Sequence, residues 1–253
     1  MTTTTRKTSR IVAAVLTIAT LIGMVFVIGS TSAKTVDAAT DKVSVYSSNI
    51  YFTKYGARTY EVFIQTNDSA ADQQVYVHYN YMNDMAWQDT EASLYTTLSD
   101  GSKIWRAVFS SFNTKYAVKL VANGVTYWDN NNGKDYNGTE TVVKAPVASQ
   151  RLGYQYYTLG GFRINAVLQN YGYNKEVFVR YTTNGWNSYS DVALTYNNTN
   201  EDGTETWTTT INDNLNVLQA GDFQYAICYR VNGTEYWANN FGSNYDRSFY
   251  IYQ

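Results

Sequence analysis

YAVKLVANGVTYWDNNNGKDY, residues 116–136, lies without a gap over YAICYRVNGTEYWANNFGSNY, residues 225–245. Ten of the 21 positions are identical: Tyr, Ala, Asn, Gly, Tyr, Trp, Asn, Asn, Gly and Tyr. Self-similarity of this kind says that the chain is one unit written twice, so the unit decides the fold. Asn123-Gly124 and Asn232-Gly233 sit between alternating runs. Asn and Gly both tolerate positive φ, which makes the pair a strong hairpin signal. Upstream, VYVHY (75–79) matches VFVRY (177–181), and YEVFIQTN (60–67) matches the apolar pattern of RINAVLQN (163–170). IWRAVF (104–109) and WTTTI (207–211) also alternate with period two, as half-buried strands do. About seven or eight such strands in about 100 residues predict an all-β chain of two tandem immunoglobulin-like antiparallel β-sandwich modules. We place them at 40–144 and 147–253. The seam, VVKAPVASQR (142–151), holds the only proline. As an extended linker of about 3.3–3.6 Å per residue, it would let each module reach its own ligand chain.

Composition narrows the function. Of 253 residues only 16% are charged, while 25 Tyr and 25 Asn supply the polarity. One Cys and one His cannot build a zinc site or a disulfide framework. A formal charge of −2 offers no basic field for nucleic acid. DNNNGKD (129–135) is not a calcium loop, because its glycine falls fifth rather than sixth and no Glu closes it. No metal and no cofactor are expected.

Residues 1–10 carry Arg6, Lys7 and Arg10, residues 11–28 are almost wholly apolar, and small residues follow. This is the pattern of a secretory signal, which we assign to 1–39, with exits suited to Ala33 or Ala38. An uncleaved anchor is the alternative, since 18 apolar residues can span a bilayer. Removal of Arg6, Lys7, Arg10, Lys34 and Asp37 leaves 15 basic and 20 acidic residues, net −5. The expected location is extracellular or at the cell surface.

The six tryptophans fall at 87, 105, 128 and again at 186, 207, 237. Trp105 and Trp207 lie inside alternating strands and read as core anchors. Trp128 and Trp237 follow Tyr127 and Tyr236, so one member of each pair points outward. Rows of Asn come next. An outward ring buries the C–H face of a pyranose, and Asn amides satisfy sugar hydroxyls without charge. Asn also suits turns, but turns alone do not require Tyr-Trp-x-Asn-Asn to recur. Trp87 and Trp186 sit in loops after the VxVxY strand, where ligand contacts concentrate; plugging the sandwich end is the structural alternative. His78 corresponds to Arg180, which puts it on a wet face rather than in a catalytic device.

These strings resemble carbohydrate-binding module family 21, the starch- and glycogen-binding modules of fungal glucoamylases and glycogen-targeting phosphatase subunits. The match is best in the second half, in YNKEVFVRYTTNGW, WTTTI and FQYAICYRVNGTEYWANNFGSNY. The resemblance implies an α-glucan ligand and two surfaces per module. One would use Trp186, Trp237, Asn239, Asn240 and Asn244, with first-half counterparts Trp87, Trp128, Asp129, Asn130, Asn131 and Asp135. The other would use Tyr173, Lys175 and Tyr196. Ala71 and Gln73 stand in place of Tyr173 and Lys175 in the first half, and Tyr95 is the counterpart of Tyr196. The usual Asp after the Trp is kept by Asp129 and replaced by Ala238. Starch, glycogen and maltooligosaccharides are the expected partners, together with other cell-surface amylolytic proteins. The phosphatase docking of animal relatives is not carried over, because this chain reads as exported.

Two rival classes stay open. A surface adhesin or structural sandwich would need no Asn–Trp constellation. A small glycoside hydrolase needs two carboxyls, about 5–5.5 Å apart in a retaining enzyme. Glu61, Glu91, Glu176, Glu201, Glu205 and Glu235 do not recur at matching places. The chain is therefore read as a non-enzyme.

Overall fold

The computed structural model describes residues 34–36, 42–52, 58–82, 86–112, 114–139, 141–151, 161–212 and 222–246. The basic and apolar segment 1–33 lies outside them. The first half runs β1 (Lys34–Val36), β2 (Val43–Phe52), β3 (Arg58–Thr66), β4 (Gln74–Asn80), β5 (Trp87–Glu91), β6 (Ser93–Thr97), β7 (Lys103–Ser111), β8 (Lys115–Ala122), β9 (Val125–Asp129) and β10 (Tyr136–Asn137). The second runs β11 (Val147–Gln150), β12 (Gly161–Leu168), β13 (Lys175–Thr182), β14 (Ser190–Ala193), β15 (Thr195–Thr199), β16 (Glu205–Asn212), β17 (Gln224–Val231), β18 (Thr234–Ala238) and β19 (Tyr245–Asp246).

Among the described residues the fold is nearly all β, in four sheets. Orders β2-β3-β7-β6 and β9-β8-β4-β5 in the first half correspond to β11-β12-β16-β15 and β18-β17-β13-β14 in the second. The Asn-Gly pairs form the β8–β9 and β17–β18 turns, with φ of 50° and 71° at Asn123 and Gly124, and 52° and 78° at Asn232 and Gly233. One core gathers Tyr60, Val62 and Ile64 with Val75, Val77, Val118 and Leu120. The other gathers Phe162, Ile164 and Leu168 with Val177, Val179, Tyr225 and Ile227. The alternation is what the strands need to turn one face inward. β1 adds the one parallel pairing among the described residues, Lys34 to Val125 and Val36 to Tyr127, so Lys34–Val36 forms a strand although it falls within the expected leader 1–39.

β3 departs from simple alternation, being buried on both faces. Its outward Phe63 is only 6% exposed and its Glu61 is buried too. Phe63 is covered by the Tyr95 and Phe241 rings and Glu61 by Arg106 and Arg151, while the seam itself is fastened rather than slack. Ser47 bridges Val143, Ser48 N donates to Val142 O at 2.7 Å and Lys144 N to Tyr46 O at 3.0 Å. Val143, Ala145 and Val167 form a small third core with Tyr46. Arg151 reaches Glu61 at 3.6 Å, beside Arg106 at 2.7 Å. The expectation of a linker paying out length between modules is corrected: backbone pairing and burial fasten it to both halves.

Candidate functional site

The outer face of β13, β17 and β18 presents Arg180 between two rings. Its guanidinium carbon lies 4.2 Å from the Tyr189 ring centre and 5.4 Å from that of Trp237. Asp191, opposite Arg180 on β14, takes two bonds from it, at 2.8 and 2.7 Å. Those bonds hold the Asp191 carboxyl below its ordinary range. Phe178 meets Trp237 edge-on at 5.8 Å. Trp237 is 38% and Tyr189 57% exposed, so the platform is open. Cys228 lies across the strand from Trp237. Burial, then the Glu235 carboxylate, push its thiol up to about 11, so it sits beneath the face as a neutral group.

Trp186 is half-buried at φ 67°. Its indole donates to Gln224 Oε1 at 2.6 Å, and Asn244 Nδ2 donates to the same oxygen at 3.3 Å. Gln224 thus gathers two expected site residues. A single Gln at a strand start gives no sequence signal, and sequence reading missed it. Register also corrects the pairing of Trp87 with Trp186. Tyr79 faces Gln88 and Asn80 faces Trp87, whereas Tyr181 faces Ser190, one residue past Tyr189. Tyr189 therefore holds the place of Trp87, and the three-residue difference in loop length vanishes.

The Asn row is largely spent on its own loop. Asn239 Oδ1 accepts from Gly242 N at 3.0 Å, and Asn240 Nδ2 donates to Asn244 O at 3.1 Å. Asn240, Phe241 and Asn244 have φ of 51°, 56° and 60°. Asn adopts this left-handed region readily, but a bulky residue pays about 1–3 kcal/mol. In the first half, Asn130 Oδ1 accepts from Gly133 N at 3.0 Å and Asn131 Nδ2 donates to Asp135 O at 3.2 Å, with positive φ at Asn131, Asn132 and Asp135. The two loops share one geometry, with Asn132 where the second half has Phe241.

The first half brings Trp87 and Trp128 to one strip with His78 between them. Trp87 stacks on His78 at 5.0 Å and His78 meets Trp128 edge-on at 5.3 Å. Lys119 covers Trp128 at 5.4 Å. Asp89 binds His78 Nδ1 at 2.7 Å and Lys119 Nζ at 2.5 Å. Burial raises the Asp89 carboxyl, but the bonds from Lys119 and His78 outweigh it and hold it low. Asp129, expected on this surface, is 3% exposed. Its Oδ2 accepts from Val45 N at 2.9 Å, Tyr136 OH at 2.7 Å and Lys144 Nζ at 3.1 Å, and its Oδ1 from Asn131 N at 3.2 Å. That placement corrects the expectation: the carboxylate is an internal fastener, turned away from any ligand.

Tyr173, Lys175 and Tyr196 converge on a groove of about 740 Å³, with Asn170, Glu205 and Trp207. Tyr173 is 97% exposed. Lys175 is largely buried, its Nζ 2.8 Å from Glu205 Oε2 and 2.7 Å from Asn170 Oδ1. The Trp207 indole donates to the same Glu205 oxygen at 2.8 Å and meets Tyr196 edge-on at 6.1 Å. Trp207 packs on the core with one part of its ring and lines the groove with another, which the core-anchor reading did not contain. Gln73, in the place of Lys175, is tied down by Thr66 Oγ1, Asp68 O and Ala70 O. Leu94 stands opposite Trp105 as Tyr196 stands opposite Trp207. Tyr95 therefore points the other way, and its match to Tyr196 is corrected.

Glycogen-binding subunit 76A of Drosophila melanogaster is 31% identical over 80 residues, which are 31% of this chain and 12% of that protein. Protein phosphatase 1 regulatory subunit 3B of Danio rerio is 34% identical over 80 residues, 31% of this chain and 27% of that protein. The aligned stretch thus spans well under half of either relative. The solution structure of the carbohydrate-binding module of the muscle glycogen-targeting subunit of protein phosphatase-1 is 21% identical, covers 40% of this chain and 73% of that one, and gives a TM-score of 0.33. The family model of the carbohydrate/starch-binding module (family 21) matches residues 153–248, the stretch that carries both the Trp237 face and the Tyr173 groove.

Proposed function

We propose that the chain is a non-catalytic α-glucan-binding protein of the starch and glycogen type, made of two tandem family 21 modules and exported. The observation that carries this is the pair of open aromatic surfaces within 153–248, Trp237 with Tyr189 and Tyr173 with Tyr196. Flat rings take the apolar faces of glucose units, and nearby amides and hydroxyls take their rims. Four of the six acids weighed for a hydrolase, Glu61, Glu176, Glu205 and Glu235, are engaged in ion pairs of the scaffold with Arg or Lys. Strand β1 favours leader cleavage at Ala33 over Ala38, since the later cut would remove a paired strand. The named relatives' phosphatase association is theirs. Only the carbohydrate-binding role is carried to this chain.

Electrophoresis of the full chain through gels containing amylose, glycogen, xylan or soluble cellulose tests the reading. Retardation by amylose and glycogen, with no reducing sugar released, is the expected result. Retardation by xylan or cellulose alone, or release of sugar, sinks it. Trp237→Ala is expected to weaken retardation with little change in melting temperature, because the ring stands largely outside the core.

Binding at this face is also expected to hold from neutral pH down to the carboxylate range. A carboxyl held low contributes its interaction above its unfolded value and loses it as pH falls through the lowered one. For Asp191 the loss falls below the ordinary aspartate range, where protonation releases Arg180 from between the rings. Titrations of maltoheptaose across pH check this; a decline already present near neutrality contradicts it.

A further inference from the structure

The loop Asn239–Asn244 does not end at its own half. Phe241 lodges among three rings of the first: Tyr46 at 5.3 Å, Phe63 at 5.4 Å and Tyr95 at 5.7 Å. The Tyr95 hydroxyl donates to Asn240 Oδ1 at 2.9 Å. Tyr95 reaches it because β6 is bulged between Leu94 and Thr96, and a bulge re-aims the extra residue. Behind the loop is a cleft of about 280 Å³ lined from both halves, by Tyr46 and Phe63 on one side and Trp237 and Asn239 on the other.

The backbone explains why this contact matters. Phe241 occupies a left-handed conformation that the corresponding Asn132 adopts without help. A phenyl ring at such a position persists only where surroundings over-determine it. Here the surroundings are supplied by the other half. The loop follows Trp237 directly, so its shape fixes the polar rim of the Trp237 platform.

We propose that the first half completes the ligand surface of the second, with Tyr95 as a positioning residue that holds Asn240 and Phe241 in the shape an α-glucan meets beside Trp237. The inference rests on the glucan reading above, and names where that ligand's site acquires a part from outside 153–248. A platform whose competent loop shape is only partly populated binds more weakly in proportion to that population.

Two backgrounds of the full chain separate the surfaces. Tyr196→Ala impairs the groove and leaves the Trp237 face; Trp237→Ala does the reverse. Maltoheptaose is titrated by calorimetry. In the Tyr196→Ala background, adding Tyr95→Ala is expected to weaken binding about tenfold, the ratio set by losing one held backbone conformation. In the Trp237→Ala background it changes nothing. Adding Phe241→Asn to the first set restores most of the loss, because Asn keeps the left-handed turn unaided. Unchanged affinity in the first background, an equal loss in both, or failure of the rescue overturns the proposal. If wild-type chain binds no maltoheptaose, the glucan reading itself falls, and this inference with it.

Discussion

Asp129→Ala is expected to lower stability by about 3–5 kcal/mol while leaving glucan affinity at the Trp237 face unchanged. The carboxylate is buried and accepts four bonds, two of them from the Val45 and Asn131 amides. Its removal orphans the Tyr136 hydroxyl and leaves Lys144 without its anion. The Tyr136 phenol is already pushed far up, first by burial and then by the Asp129 charge, so it stays neutral and donates. Asp129→Asn keeps the shape and part of the bonding, and its cost should be nearer about 1–3 kcal/mol. Urea unfolding measures both, with the midpoint falling and the slope preserved. A variant that kept its stability and lost sugar would return Asp129 to the ligand surface.

The second large effect is at the groove. Lys175→Ala should cost about 3 kcal/mol or more, because Glu205 is left largely buried with the Trp207 indole as its one side-chain donor among the described residues. The same change removes the floor between Tyr173 and Tyr196, so sugar binding there is lost as well. The double variant Lys175→Met, Glu205→Leu separates the two consequences. An apolar pair of similar volume restores stability, since a buried ion pair is no better than good packing, yet it gives no polar group to the ligand. Recovery of melting temperature without recovery of binding is the expected pattern. Recovery of both means the ion pair is scaffolding alone.

Much of this architecture was legible. Asn-Gly turns and period-two runs locate the strands, and the family resemblance, not the residue pattern itself, points to Tyr173, Lys175 and Tyr196, which the fold places around one groove. What escaped depended on counting from paired strands instead of from letters. Residue identity matches Trp87 to Trp186, but hydrogen-bond register gives its place to Tyr189, because counted from the paired Tyr79 and Tyr181 the two loops are equal in length. Tyr95 was matched to Tyr196, and a one-residue offset beside a bulge turns it to the opposite face. Asp129 stood in a polar string that reads as loop, with nothing to show that Val45 and Lys144, distant in sequence, close over it. The Asn residues illustrate a different limit: an amide can serve a ligand or its own turn, and only coordinates show that Asn239 and Asn240 already serve the turn.

The fastened seam has a consequence for how the molecule would meet a polymer. A slack tether lets two sites search independently, and the gain depends on tether length. Residues 142–151 offer no slack, because Ser47, Ser48 and Tyr46 hold their backbone and Arg151 is gripped by Glu61. The separation between the faces of the two halves is then a fixed dimension of the protein. On the glucan reading such an object would work as a caliper: it would reward chains that present sugar at its own gauge and be indifferent to chains that are merely abundant.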